Sequence, residues 1–224
     1  MPKLIVNEFN NPTPESATLI RWYPFSGNLN DYSGGGHNLT AKVDANYGYA
    51  TDFNGIGSCV DSVNFSGDSG SGCAESGNDY SVCGWYKGDT GQNQSFWMYD
   101  DIAISGNNIG LRMSIGSGYW SILCKGSSAI SISGLHGLTQ NVWAHVAITY
   151  DYSAGQGYYY RNGALISSAS DVIGGDWTTS DVNAWIPGSY NSYGCQNSML
   201  CDLRFYSGLL TANDVKAIYK YLGS

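Results

Sequence analysis

Glutamate is almost missing from this chain: Glu8, Glu15 and Glu75 are the whole supply in 224 residues. Cations are scarce too, with ten Lys+Arg against 18 Asp+Glu, and charged residues make up only 12%. A net charge of -8 sets aside nucleic acid and anionic membrane as partners, because both are held by clustered cations. No apolar run approaches the ~20 residues of a membrane span. The opening "MPKLIVNEFNNPTPESATL" lacks a long apolar core and a small-residue cleavage site, so no signal peptide is expected in it. Two origins fit that absence: a mature fragment of a secreted protein, or a protein assembled inside a cell and released with a virion.

Glycine, at 30, and tyrosine, at 18, are plentiful. From Leu19 onward, short apolar runs are broken by Gly, Asn, Asp and Ser, which is the pattern of many short strands joined by turns. No linker divides residues 20–222, and one β-sandwich accommodates this length. A chain this long buries a sizeable core without staples. Residues 1–18, with Pro12 and Pro14, read as an irregular arm that docks on a neighbour or stays free. The domain is therefore expected over residues 19–224.

The strongest local signal is "GYYYRNGALIS", residues 157–167. Asn162-Gly163 suits a type I′ turn, whose two central positions both need positive φ. It should join Tyr158–Arg161 to Ala164–Ser167. Upstream, "NVWAHVAITYD" has bulk at both parities, as a central strand covered on both faces would. It also holds His145, with Asp151 six residues later. That pair is either a base with its orienting acid or part of a strand. Asp61 to Asn78 reads as a long loop, and the stretch from Ser105 to Gly134 as two or three short strands with Gly turns. One helix is expected, in "LTANDVKAIYKYL". Thr211 caps it, Asp214 stands at the third helical position, and Val215, Ile218, Tyr219 and Leu222 form one stripe.

Six cysteines, Cys59, Cys73, Cys83, Cys124, Cys195 and Cys201, allow 15 pairings. None forms a C-x-x-C, and none clusters with histidine at zinc spacing. Proximity favours Cys195 with Cys201 and Cys59 with Cys73, leaving Cys83 and Cys124. Six reduced, half-buried thiols are the alternative.

Several segments, in order, resemble the concanavalin A-like jelly rolls, specifically the laminin-G-like branch. "RWYPFSGNLNDYSGGGHNLTA" resembles its opening strand and Asp-x-Ser-Gly loop, and "YATDFNGIGSCVDS" its Phe-x-Gly strand. "DYSVCGWYK" resembles a strand with Trp after a small residue. "NVWAHVAITYD" with "YYYRNGALISS" is similar to the Trp-x-His-Val-Ala strand and Asn-Gly hairpin. "SMLCDLRFYSGLLTANDVKAIYKYL" is similar to the closing Asp-x-Arg-x-Tyr strand and helix. The resemblance covers roughly residues 20–222. It implies an all-β fold: a jelly-roll sandwich of two antiparallel sheets, about a dozen strands in all, with a short C-terminal helix. It also implies a structural role for His145 beside Trp143, and core strands for Trp85 and Trp143. One departure stands out: where the family often has a first acidic residue before Arg-x-Tyr, this chain has Cys201.

Hydrolases on this fold use two Glu on one strand, and the carboxyl spacing sets the stereochemistry. No such pair exists here. The lyase Gln-x-His strand is absent, as is a Gly-x-Ser-x-Gly elbow. Asp100 and Asp101 are adjacent, so in a strand they would face opposite ways; in a loop they would suit a cation better than acid/base work. The expectation is a non-catalytic module.

Three ligand classes remain. Calcium suits the oxygen-rich loop "NLNDYSGGGHN"; the resemblance implies Asp31, Asn38 and Asp202 as ligands of a structural Ca²⁺, and the alternative is a turn in which Asp31 caps backbone amides. A glycan or cell-surface polysaccharide suits aromatics near expected loops: Trp97, Tyr99, Trp120, Trp177, Tyr190 and Tyr193. "GGDWTTSDVNAWIPGSYNSYGCQ" concentrates three of these among polar residues. The alternative is that strands favour Tyr and Trp anyway. Protein subunits of a virion or cell surface suit the arm and the Tyr/Ser/Gly/Asn-rich composition. The sequons at Asn38, Asn64 and Asn93 matter only in a eukaryotic secretory setting. The sequence expectation is thus a carbohydrate-binding or adhesion module at a cell or virion surface, with a decoration or fibre protein as the rival.

Overall fold

The computed structural model describes residues 12–25, 28–38, 40–42, 59–61, 64–66, 79–87, 94–100, 112–116, 119–123, 129–133, 138–139, 141–170, 183–186 and 199–223. Fourteen strands are assigned among them: β1 (Ala17–Tyr23), β2 (Thr40–Lys42), β3 (Cys59–Asp61), β4 (Asn64–Ser66), β5 (Tyr80–Lys87), β6 (Gln94–Asp100), β7 (Arg112–Gly116), β8 (Tyr119–Leu123), β9 (Ala129–Ser133), β10 (Ala144–Asp151), β11 (Gln156–Arg161), β12 (Ala164–Ser170), β13 (Asn183–Ile186) and β14 (Met199–Gly208). One helix follows, α1 (Ala212–Gly223). The first sheet has the order β1-β14-β5-β10-β11-β12, with β3 also paired to β14; the second has the order β2-β4-β13-β6-β7-β8-β9. This is the expected concanavalin A-like jelly roll, all β apart from its closing helix.

The strand β10 lies between β5 and β11, and its residues from Ala144 to Tyr150 are buried. Its alternation sorts the first sheet into two covered faces. Cys83, Ala147, Tyr160 and Tyr206 share one face, where they pack with Leu210, Val215 and Ile218 of the helical segment. Val82, Ile148 and Phe205 lie in register on the other face, and all are buried. Burying a side chain of this size contributes roughly 1.5–3 kcal/mol.

The hairpin forms as the Asn-Gly pair dictates. Asn162 has φ 50° and Gly163 φ 75°. The turn is also tied to β10: the Asn162 amide donates to the His145 carbonyl at 2.8 Å, and the His145 amide donates to Asn162 Oδ1 at 2.9 Å. Gly163 is needed for a second reason, because a Cβ there would meet Tyr219 at 2.9 Å.

At the N-terminus of α1 the Thr211 amide donates to Asp214 Oδ2 and the Asp214 amide donates to Thr211 Oγ1, as a capping box should. Ser16 also donates to Asp214 Oδ2 at 2.7 Å. Two expected boundaries move. Strand β1 begins at Ala17, inside the expected arm, because Ala17 and Thr18 find partners in Gly208 and Ser207. The expected loop 61–78 opens with strand structure, since Asn64–Ser66 pairs with β2 and β13; residues 67–78 lie outside the described residues. Ser105–Gly134 supplies three strands, β7 to β9.

Candidate functional site

His145 and Asp151 do not form a catalytic pair. They occupy opposite ends of β10, and the Asp151 carboxylate caps its own turn by accepting from Ser153 Oγ and the Ala154 amide, both at 2.8 Å. Those bonds hold Asp151 below the usual carboxylate range. His145 is fully buried, and neither ring nitrogen has a hydrogen-bond partner. Burial holds its imidazole down at about 3, with the nearby Arg204 cation acting in the same direction. It is neutral at ordinary pH and walled off from substrate.

A polar node sits beside it, and the sequence reading missed its central member, Trp22. Strand β14 carries an extra residue against β5: the register passes from Cys201 opposite Trp85 to Arg204 opposite Cys83. Such a bulge re-aims side chains. Asp202 takes a left-handed φ of 50° at this point, a conformation Asp tolerates better than most residues. Opposite stands Gly84, where a Cβ would come within 3.3 Å of the Cys201 carbonyl oxygen. Asp202 Oδ1 accepts from Trp22 Nε1 at 2.7 Å. Arg204 Nε donates to both Asp202 oxygens at 3.0 Å. The guanidinium lies 5.0 Å from the centroid of Trp22 and 5.6 Å from that of Tyr221. Burial alone would lower the Arg204 pKa, but Asp202 beside it holds the group charged.

Trp22 also reaches the Gly-rich loop, since its backbone amide donates to Asp31 Oδ1 at 3.0 Å. The Ser33 amide donates to the same oxygen, and the His37 amide to Oδ2. The Asp31 amide in turn donates to Asn38 Oδ1 at 2.9 Å. Burial pushes the Asp31 carboxyl up, but the amide bonds outweigh it and leave the group below the ordinary range. Of the three residues expected to bind calcium, Asp202 pairs with Arg204 and Trp22, while Asp31 and Asn38 accept from backbone amides. Among the described residues no group of three or more His, Cys, Asp or Glu is arranged to hold a metal.

The aromatic candidates divide. Trp177, Tyr190 and Tyr193 lie outside the described residues. Trp97 and Tyr99 fall in β6 and Trp120 in β8. The register places Trp97 opposite Met113, Met113 opposite Ile122, and Ile115 opposite Trp120; Ile122 faces Ile130, and Trp120 faces Ile132. Ser95, Ser114, Ser121 and Ser131 are paired in a row across the same strands, and Gln94 is paired with Ile115.

Cys83 is a correction to the expected set of six possible half-cystines. It is a free thiol inside the core cluster beneath α1, and burial pushes its pKa up to about 12. Cys201 is disulfide-bonded. Strand β3 sets Cys59 directly across from it, while Cys73, Cys124 and Cys195 lie outside the described residues.

With this geometry in place, the chain's relatives can be compared. A laminin-G family model, described as the concanavalin A-like lectin/glucanases superfamily, matches residues 61–216. The chain belongs to that superfamily. Several solved structures share its fold. The binding domain of botulinum neurotoxin serotype G superposes with a TM-score of 0.69 at 17% identity, covering 92% of this chain and 51% of that one. The binding domain of Paraclostridial Mosquitocidal Protein 1 gives 0.65 at 16%, covering 92% and 52%. Domain 4 of AbnA, an extracellular arabinanase of Geobacillus stearothermophilus solved with arabinotriose, gives 0.61 at 20%, covering 92% and 100%. The chain thus spans about half the length of the toxin binding domains and all of the arabinanase domain. No curated protein matches it significantly in sequence.

Proposed function

We propose that this protein is a non-catalytic carbohydrate-binding module acting at a cell or virion surface. The observation that carries the reading is the match over the full length of an arabinanase domain solved in complex with arabinotriose. The chemistry agrees: His145 and Asp151 stand toward opposite ends of β10, the first buried and the second capping its own turn, and the chain has no Glu pair. The half-cystine at Cys201 favours an oxidising, extracellular setting. The sugar contacts are assigned to Trp177, Tyr190 and Tyr193, whose flat rings stack on sugar faces while neighbouring Asn and Asp bond the hydroxyls.

The test is a glycan array that includes arabino-oligosaccharides, run in calcium and again in EDTA. Specific binding in both conditions is expected, because the Asp31 loop is closed by its own amides. Binding lost in EDTA would restore Ca²⁺ as a loop brace. Turnover of any polysaccharide would overturn the non-catalytic reading.

A second reading, a decoration or fibre component that binds other protein subunits, draws on one feature. Strand β12 ends the first sheet, Leu165 and Ile166 on it are 52% and 37% exposed, and residues 163–170 carry no charge. Edge strands are usually protected by charge or proline. Self-association in solution, abolished by Leu165→Lys, combined with silence on the array would favour this reading.

A further inference from the structure

The C-terminal helix closes over a histidine whose ring finds no hydrogen-bond partner among the described residues. Buried imidazoles usually have at least one nitrogen paired. The ring stands edge-on to Trp85, with centroids 5.6 Å apart, and lies 6.0 Å from the ring of Tyr219. Tyr219 is itself only half-buried, so the α1 ring in contact with the imidazole also meets water. Two residues on, Tyr221 covers Arg204 in the same manner. The helix is held at its start by the Thr211–Asp214 box and Ser16, and further along by the buried Val215 and Ile218. Tyr219 and Tyr221 pack against Trp85 and Cys201.

We propose that His145 is an acid-operated latch: proton uptake by its imidazole drives the second half of α1 off the first sheet. Nothing facing the ring would welcome the charge. Strand β5 presents Trp85 and the neutral Cys83 thiol, and β11 presents Tyr160. Strand β14 presents Arg204, a cation, together with Asp202, whose oxygens are committed to Arg204 and Trp22. Helix α1 presents Tyr219 and Tyr221, while its Lys216 and Lys220 are exposed. The closed state therefore holds the imidazole at about 3, against ~6.5 for a solvated histidine. The closed state is fully favoured above that ordinary value and loses ground as pH falls. Each pH unit favours the open state about tenfold, to a limit of about three orders of magnitude.

Hydrogen exchange of the amides in 216–223 from pH 7.5 to 4, corrected for intrinsic rates, tests the proposal on the whole chain. Wild type should lose protection there by about tenfold per pH unit below ~6.5, ahead of β5 and β10. His145→Phe, which keeps a ring between Trp85 and Tyr219 but takes no proton, should hold its protection. Equal loss in both proteins, or none in wild type, would overturn the latch. If His145→Phe fails to fold, labelled-imidazole NMR on wild type decides. His145 charging in step with loss of helix protection supports the latch; charging near 6.5 beneath a protected helix sinks it.

Discussion

Asp202 is the residue whose environment is most demanding. It is fully buried, sits at a bulge, and meets Arg204 and Trp22 at once. Removing one member of a buried ion pair strands the other, at a cost of about 3–5 kcal/mol. Asp202→Ala should therefore lower stability by about that amount in urea unfolding, with glycan binding intact in whatever fraction stays folded. His145 adds an acid dependence. An unfolded histidine binds its proton near 6.5, the folded one only at about 3, so the unfolded state takes up the proton first. Stability should fall by about 1.4 kcal/mol per pH unit below ~6.5, and His145→Phe should flatten that slope in urea titrations between pH 7 and 4. The sequence pattern had placed His145 in a covered strand, since bulk at both parities signals burial on both faces. It had no means of revealing Trp22, because its backbone amide and its indole N–H are spent on carboxylates nine and 180 residues away.

At the scale of elements, local chemistry was most readable where a short motif sets a backbone angle or closes a short hydrogen-bonded ring. The Asn162-Gly163 turn and the Thr211–Asp214 box formed as expected because each is determined within four residues. Thr211→Ala should destabilise the chain by about 1 kcal/mol, read as a lower thermal midpoint with unchanged sheet signal. Which face of a strand is covered depends on the register with strands far away. That is why Trp97, Tyr99 and Trp120 looked loop-adjacent in sequence and fall instead within β6 and β8. Register also bears on the cysteines. Directly opposed antiparallel residues have Cα atoms about 4.5–5.5 Å apart, within disulfide range. Peptide mapping without reduction should therefore join the Cys59 and Cys201 peptides and leave Cys83 alkylatable only after unfolding. A Cys195–Cys201 link would show that sequence proximity outweighs the ladder.

For the molecule as a whole, the fold was legible because five weak segments fell in one order, and order carries topology. The binding surface was less legible, because aromatics are as useful to a core as to a sugar. The two roles separate by experiment. Alanine at Trp177, Tyr190 or Tyr193 should weaken glycan binding at least tenfold with the melting temperature nearly unchanged. A core role for Trp97, Tyr99 or Trp120 would show instead as a loss of about 3–5 kcal/mol of stability on alanine substitution, as large-to-small core changes give. A reversed pattern would move the sugar site onto the sheet.

The pairing of β1 with β14 also decides how this module would respond to a pull. Ala17 lies opposite Gly208, and Ser16 is bonded to Asp214 at the start of the helix, so the start of β1 and the end of β14 leave from one corner. Tension applied through them would part β1 from β14 one rung at a time. A tether attached through the Asn162-Gly163 turn would have to shear several ladders together. Anchored by its ends, the domain would therefore peel at low load, and its grip on a surface would depend on which corner carries the strain.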